Sequence, residues 1–329
     1  MSRRDYLATS TGEPGGGVVV VCPGCRDSFR FMLHHDAKTA PAVKIKENGS
    51  AAALVANAFP LPVGPLDTGG SCDATTAACV DCYAANLENL YGNFARGASV
   101  NLANLHHLKT CGGQTAVVSA LLALVDFSVM QQRGRGVVSP SFRWHSSGDV
   151  FASWYGRAIR AAVLASPGVA HWIYTRDTGK VSSLLPAPAN LAVYLSADSE
   201  NWRKVAKAAG RHGLPVALLA DDRAAAAALW ARIVSVAPVA APFECPASGK
   251  WASDGLGVAA HVVGFDGLRG SAVRGSLGAG ACPSCRVCLP GGPVRSVTFL
   301  LHGGKAAPGA PGRLGAAVAV RVRRSAVVS

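Results

Sequence analysis

Hydrophobic positions change their period along this chain, and the changes outline its elements. "VVVVC" at 18–22 is a continuous apolar run of strand length. From Tyr83 the apolar residues Tyr83, Leu87, Leu90, Tyr91 and Phe94 recur at helical spacing, which predicts a helix over about 83–96. Val117, Leu121, Leu122, Leu124 and Val125 predict a second helix from Gly113 to about Gln132, ended by Gly134 and Gly136.

After residue 140 short apolar runs alternate with amphipathic stretches. Strands are expected at 141–149, 170–177, 191–198 and 215–222. Helices are expected at 150–166, 200–213 and 223–236, with a short one near 179–185. Strands that alternate with helices imply parallel strands joined by right-handed crossovers. Runs apolar on both faces suit buried parallel strands. The expected fold is therefore α/β, a partial parallel β/α barrel followed by a C-terminal Cys/His metal-binding segment. The expected organisation is an N-terminal extension and lead-in over 1–70, a barrel core over 71–240, barrel completion with the metal segment over 241–304, and a basic tail over 305–329.

In a parallel barrel the chemistry lies at the C-terminal strand ends. Those positions hold Gly148, Asp149, Thr175, Arg176, Asp177, Ser196, Asp198, Asp221 and Asp222. The competing reading makes the carboxylates caps of the following helices. His145 shares the side parity of Ser147 and Asp149, which makes it a candidate base; a core histidine bonded to backbone is the plainer alternative. Trp144, Trp154 and Trp172 read as core.

Composition narrows the setting. Half of the 329 residues are hydrophobic and 16% are charged, so the chain is globular. A net charge of +13 and an isoelectric point near 9.6 favour a polyanionic partner, most simply nucleic acid. Arg313, Arg321, Arg323 and Arg324 concentrate that charge in the tail. No run of about 18 uninterrupted apolar residues and no secretory h-region is visible, so no membrane partner is expected and a cytoplasmic setting is. In a reducing compartment the ten cysteines point to metal or catalysis more than to disulfides.

Two clusters stand out. Cys72, Cys79 and Cys82 lie just before a predicted helix, and three thiolates on an iron–sulfur cluster leave one iron open. Zinc with a distant fourth ligand (His106, His107 or Cys111) is the alternative, and absence of metal the third reading. Cys282, Cys285 and Cys288 precede His302, a complete tetrahedral zinc set that would equally suit a second cluster. Cys245 could join either group. Cys22 and Cys25 read as a redox pair, half a zinc site or incidental thiols. Cys111 alone reads as a small buried residue.

The order of these motifs resembles a radical S-adenosylmethionine core. The resemblance implies that Cys72, Cys79 and Cys82 hold a four-iron, four-sulfur cluster. It also implies that Gly148 and Asp149 contact the amine of S-adenosylmethionine, and that Thr175, Arg176 and Ser196 line the site. Here the first cysteine gap is six residues where three is usual, Asp81 stands where an aromatic is usual, and Asp149 stands for Glu. More closely, "DCYAANL", "HSSGDVF", "IYTRDTG" and "CPSCRVC" with its later "LLH" resemble, in order, the motifs of a phage family called gene product 88. A weaker resemblance, through Cys282, Cys285, Cys288 and His302, is to tRNA-guanine and phage deazapurine DNA transglycosylases. It implies a structural zinc, with Asp149 or Asp198 as nucleophile and the other as general acid/base. Three functions follow as expectations. The first is an iron–sulfur enzyme modifying nucleic acid or a nucleotide precursor in a bacterial host. The second is a base-exchange enzyme, and the third a zinc-stabilised nucleic-acid-binding protein without catalysis.

Overall fold

The computed structural model describes residues 17–34, 57–79, 82–134, 136–240, 242–245, 288–291 and 295–300. The valine run forms β1 (Gly17–Val21), which pairs antiparallel with β2 (Ser28–Met32). The remaining strands are β3 (Ala58–Pro60), β4 (Ser141–Ser147), β5 (Ala170–Thr175), β6 (Leu191–Ala197), β7 (Val216–Ala220), β8 (Pro242–Glu244) and β9 (Ser296–Leu300). They form a seven-stranded sheet in the order β3-β4-β5-β6-β7-β9-β8. Every pairing in it is parallel. From β3 to β7 each strand is laid beside its predecessor, so right-handed crossovers step in one direction and place their helices on one face.

The helices are α1 (Tyr83–Leu90), α2 (Gly92–His107), α3 (Gly113–Arg133), α4 (Ser153–Leu164), α5 (Trp202–His212) and α6 (Arg223–Val236). The short helix expected near 179–185 is a single 3₁₀ turn, Val181–Leu184. Gly213 closes α5 in the left-handed conformation, φ 66°, where glycine carries no Cβ penalty. Asp222 caps α6 by accepting from the Ala225 amide at 2.8 Å.

The helix expected over 83–96 is two helices. Tyr91 leaves helical geometry (φ −123°, ψ 89°), and the chain turns before Gly92. Leu90 and Tyr91 are exposed. Their apolar spacing therefore does not make one buried stripe. α3 follows the sequence reading: Val117, Leu121, Leu124 and Val125 are fully buried, and Leu122 is half-buried. The helical run Gly92–Arg133 is long and apolar enough to cross a membrane by composition, but half of its most apolar window is buried in this fold. Trp144 and Trp172 are core residues, while Trp154 is only partly covered.

The hairpin is joined to the main sheet by a backbone bridge between His34 and Ala58 and by one buried side-chain amide. Asn101 on α2 accepts from the Met32 amide at 2.8 Å, and donates to the carbonyls of Met32 at 2.8 Å and Pro60 at 2.9 Å. At the other end of the helical layer Gln132 accepts from the Ser141 amide at 3.0 Å and donates to its carbonyl at 2.8 Å, fixing where β4 begins. Replacing Asn101 by alanine strands two carbonyls and one amide, and about 3 kcal/mol of stability should be lost. Denaturant unfolding of Asn101→Ala beside Asn104→Ala, whose amide reaches only the Arg30 carbonyl at an exposed position, checks this. Equal losses would mean that Asn101 does not carry the junction.

Candidate functional site

The loop 61–79 crosses the C-terminal ends of three neighbouring strands and is anchored at each. At β4, Ser71 donates to the Pro62 carbonyl at 2.7 Å, and its hydroxyl accepts from the Asp149 amide at 3.1 Å. Gly148 has φ +78°, and a Cβ there would lie 2.7 Å from Leu61 Cβ, 2.9 Å from the Leu61 carbonyl oxygen and closer still to Ser71 Oγ. Both backbone conformation and space demand glycine. At β5 and β6, Thr76 donates to Asp198 Oδ2 at 2.6 Å, while the Arg176 guanidinium pairs with the same Asp198 oxygen and donates to the Thr76 hydroxyl at 3.1 Å. Beyond β5, Lys180 bridges Asp177 and Asp73, the latter at 2.6 Å.

These anchors bring the first cysteine triplet over the strand ends. Cys72 is held by its amide on the Gly64 carbonyl at 2.8 Å. Cys79 ends a 3₁₀ turn (Ala77–Cys79) whose sulfur accepts from the Thr76 amide at 3.4 Å. Cys82 is the N-cap of α1. Burial pushes the Cys72 thiol up to about 12, and the charges of Asp149, Cys82 and Cys79 add to that rise. The three sulfurs and Asp149 thus sense one another. They do not converge on a point as ligands of a single ion do.

The strand-end carboxylates differ. Asp149 is buried, and its oxygens accept from the Val150 amide at 2.6 Å and the Arg176 amide at 2.9 Å. Burial raises its pKa, against the Thr175 hydroxyl and those amides, which lower it. For Asp198 burial also raises, but the Thr76 hydroxyl, the Asn201 amide and Arg176 outweigh it and hold the carboxyl below its ordinary value. Asp198 Oδ1 additionally accepts from the Glu200 and Asn201 amides ahead of α5. Asp198 thus makes the hydrogen bonds that the capping reading expects. Thr175 is buried, its hydroxyl accepting from the Asp177 amide at 3.1 Å; Ser196 is half-buried, its carbonyl accepting from Asn201.

His145 sits at an irregular point of β4. It has φ 65°, and the register of β3 on β4 shifts between Phe59 and Pro60, so alternation breaks beside it. Its Nε2 lies 3.0 Å from the buried Tyr155 hydroxyl. Burial and the Arg143 charge lower its pKa to about 3, keeping the ring neutral.

A second group was not foreseen as a unit. Cys22, Cys25, His107 and Cys111 bring their ligand atoms within 4.8 Å of one another and could hold a metal such as zinc. Among the described residues, the Cys/His cluster that the structure assembles lies near the N-terminus. Cys111 is exposed and part of this group, not a buried filler. His107 and Cys111, expected only as distant partners of Cys72, Cys79 and Cys82, belong here. The readable signal was C-x2-C in one strand-like stretch and His-x3-Cys at the i,i+4 spacing that shares a helix face. Burial raises the Cys22 thiol, but the amides of Cys25 and Gly24 and the thiols of Cys25 and Cys111 lower it more, to about 7. Cys25 is lowered by the Asp27 amide, yet burial and the neighbouring sulfurs of Cys22 and Cys111 raise it to about 11. Cys282, Cys285 and His302 lie outside the described residues. Cys288 and Cys245 pack against the same small apolar group of Tyr194, Ala217 and Val297.

A family model described as gene product 88 matches residues 30–290. No curated protein and no solved structure matches the chain.

If close approach at Gly148 locks the cysteine loop to β4, Gly148→Ala should cost about 3 kcal/mol or more. Gly69 also has positive φ, but nothing lies within 4 Å of an added Cβ, so Gly69→Ala should cost about 1 kcal/mol. Melting temperatures of the two variants check this, and equal shifts would refute the lock.

Proposed function

Because the chain belongs to the gene product 88 family, and the matched region takes in both the cysteine loop and the strand ends beneath it, we propose that it is an iron–sulfur enzyme of radical S-adenosylmethionine type. The proposed substrate is nucleic acid or a nucleotide precursor. The observation that carries this reading is the docking of Cys72, Cys79 and Cys82 over the C-terminal ends of β4, β5 and β6, beside Asp149. The run of parallel strands in chain order from β3 to β7 is also what a partial β/α barrel requires.

The residues fit such a group. Thiolates bound to different irons of one cluster stand further apart than thiolates on one ion, which suits three sulfurs that interact electrostatically without converging. Cys82 stands at the N-cap of α1, and the Cys79 sulfur accepts from the Thr76 amide. When bound, a four-iron, four-sulfur cluster with one open iron supplies an electron and a coordination position for S-adenosylmethionine. The chain's own part is placement. Asp149 braces β4 to β5 through the Arg176 amide and offers its remaining lone pairs to a cofactor amine. Arg176 does not stand free for a substrate anion; Asp198 and Thr76 hold it, so its first duty is to seat the cysteine loop. The +13 charge supports a polyanionic substrate or partner.

Base exchange is the second reading, and one observation favours it. Asp149 is raised and Asp198 lowered, both at strand ends, as an acid and a base would be. It leaves the docked cysteine triplet without a role.

Anaerobic purification followed by iron, sulfide and absorbance measurements separates the readings. The first expects about four irons and four sulfides per chain with broad absorbance near ~400 nm. Both should be absent from a Cys72/Cys79/Cys82→Ala variant. Zinc alone, unchanged in that variant, would sink the iron–sulfur reading and direct attention to base exchange on DNA or tRNA.

A further inference from the structure

We propose that Cys22, Cys25, His107 and Cys111 form a closed structural zinc centre, which clamps the β1–β2 hairpin to the α2–α3 junction and braces the loop that carries Asp149. It does not depend on the function of the cysteine triplet.

The ligand set is complete: three thiolates and one imidazole, the composition of tetrahedral structural zinc. At zinc–sulfur distances of about 2.3 Å, tetrahedral thiolates stand about 3.8 Å apart. Four ligand atoms mutually within 4.8 Å need only a small contraction to reach that arrangement. Cys25 Sγ and His107 Nε2 already lie 3.3 Å apart.

The local backbone is shaped for this. Residues 22–27 connect β1 to β2, and the turn is closed by the Arg26 amide on the Cys22 carbonyl at 2.9 Å and the Cys22 amide on the Asp27 carbonyl at 2.9 Å. The amides of Gly24 and Cys25 point at the Cys22 sulfur, which is how outer hydrogen bonds orient a thiolate ligand. Arg26 has φ 69°, a left-handed conformation that an ordinary residue rarely adopts. Gly24 lets Cys111 approach: an added Cβ would lie 2.7 Å from Cys111 Sγ. On the other side, Leu108–Gly112 is a π-helical turn between α2 and α3. Such a turn is often found at functional positions, and here it carries Cys111 within reach of His107 and the hairpin.

The clamp reaches the strand ends. Phe29 of β2 packs tilted against the His107 ring, with 4.3 Å between centroids. The adjacent His106 ring lies 5.1 Å from Phe151 and 5.8 Å from Trp154. Gln114, just after the π turn, donates to the Trp154 carbonyl at 2.8 Å. Phe151 and Trp154 flank the entry to α4, a few residues from Asp149. A metal at this site therefore holds the hairpin, the helix junction and the β4–α4 loop together.

The test compares zinc per chain, by elemental analysis, in the wild type, Cys25→Ser, Cys111→Ser and the Cys72/Cys79/Cys82→Ala variant. The two serine variants should each hold one zinc fewer than wild type, and the triplet variant should keep that zinc. Cobalt substitution of the wild type should give the intense visible bands of tetrahedral thiolate coordination, absent from Cys111→Ser even if that variant is only partly folded. The proposal is overturned by zinc content unchanged in both serine variants, or by a wild type that lacks this zinc and forms a Cys22–Cys25 disulfide in air. As an independent check on the turn, Arg26→Gly should retain zinc and raise the melting temperature, since it relieves the left-handed residue. Loss of zinc in Arg26→Gly would overturn the assignment.

Discussion

One constraint organises this molecule: a loop with three cysteines must lie across the ends of three parallel strands. Parallel strands leave their C-terminal ends together, so side chains from β4, β5 and β6 can grip one segment. The grip is polar, which sets its register more sharply than apolar packing would. Asp198 accepts from Thr76 and Arg176 at one oxygen while its other oxygen caps the approach to α5. Gly148 and Ser71 meet where no side chain could intervene. Because these groups are largely buried, leaving any one unpartnered is costly, and the loop has few alternative seats.

The same polar groups answer to two descriptions. Asp149 and Asp198 are caps and braces by their hydrogen bonds, and their place at the strand ends beside the cysteines is what the proposed function draws on. The descriptions are compatible, since a site that holds a cofactor must first hold itself. Arg176 illustrates the order of duties: its charge is spent within the protein, on Asp198, before any ligand is considered.

A second convergence lies at the other side of the β4–α4 loop. There a hairpin turn and a π-helical turn, both departures from regular structure, bring Cys22, Cys25, His107 and Cys111 together. Backbone irregularity is costly unless something is gained from it. A positive-φ arginine in the turn and a glycine that admits Cys111 are understandable as the shape of a ligand cage.

Much of the architecture was legible from the residues alone. The short apolar runs and amphipathic stretches after residue 140 name β4 through α6 almost to their boundaries, because burial of both strand faces and of one helix face imposes distinct periods. Asp149, Arg176 and Asp198 were likewise found at strand ends from their positions in those runs. What periodicity could not reveal was anything set by contact between distant segments. The break at Tyr91 was hidden because Leu90 and Tyr91 keep helical spacing while facing solvent. The irregular backbone at His145 was hidden because a shift in register is invisible in one strand read without its neighbour. The partners of Cys22 and Cys25 lie more than eighty residues away, and no local pattern connects them. Sequence by itself determined the alternating α/β plan, since local periodicity follows from which face each element must bury. Only the tertiary structure decided which cysteines meet, because that depends on where the crossovers and turns bring segments that share no periodicity.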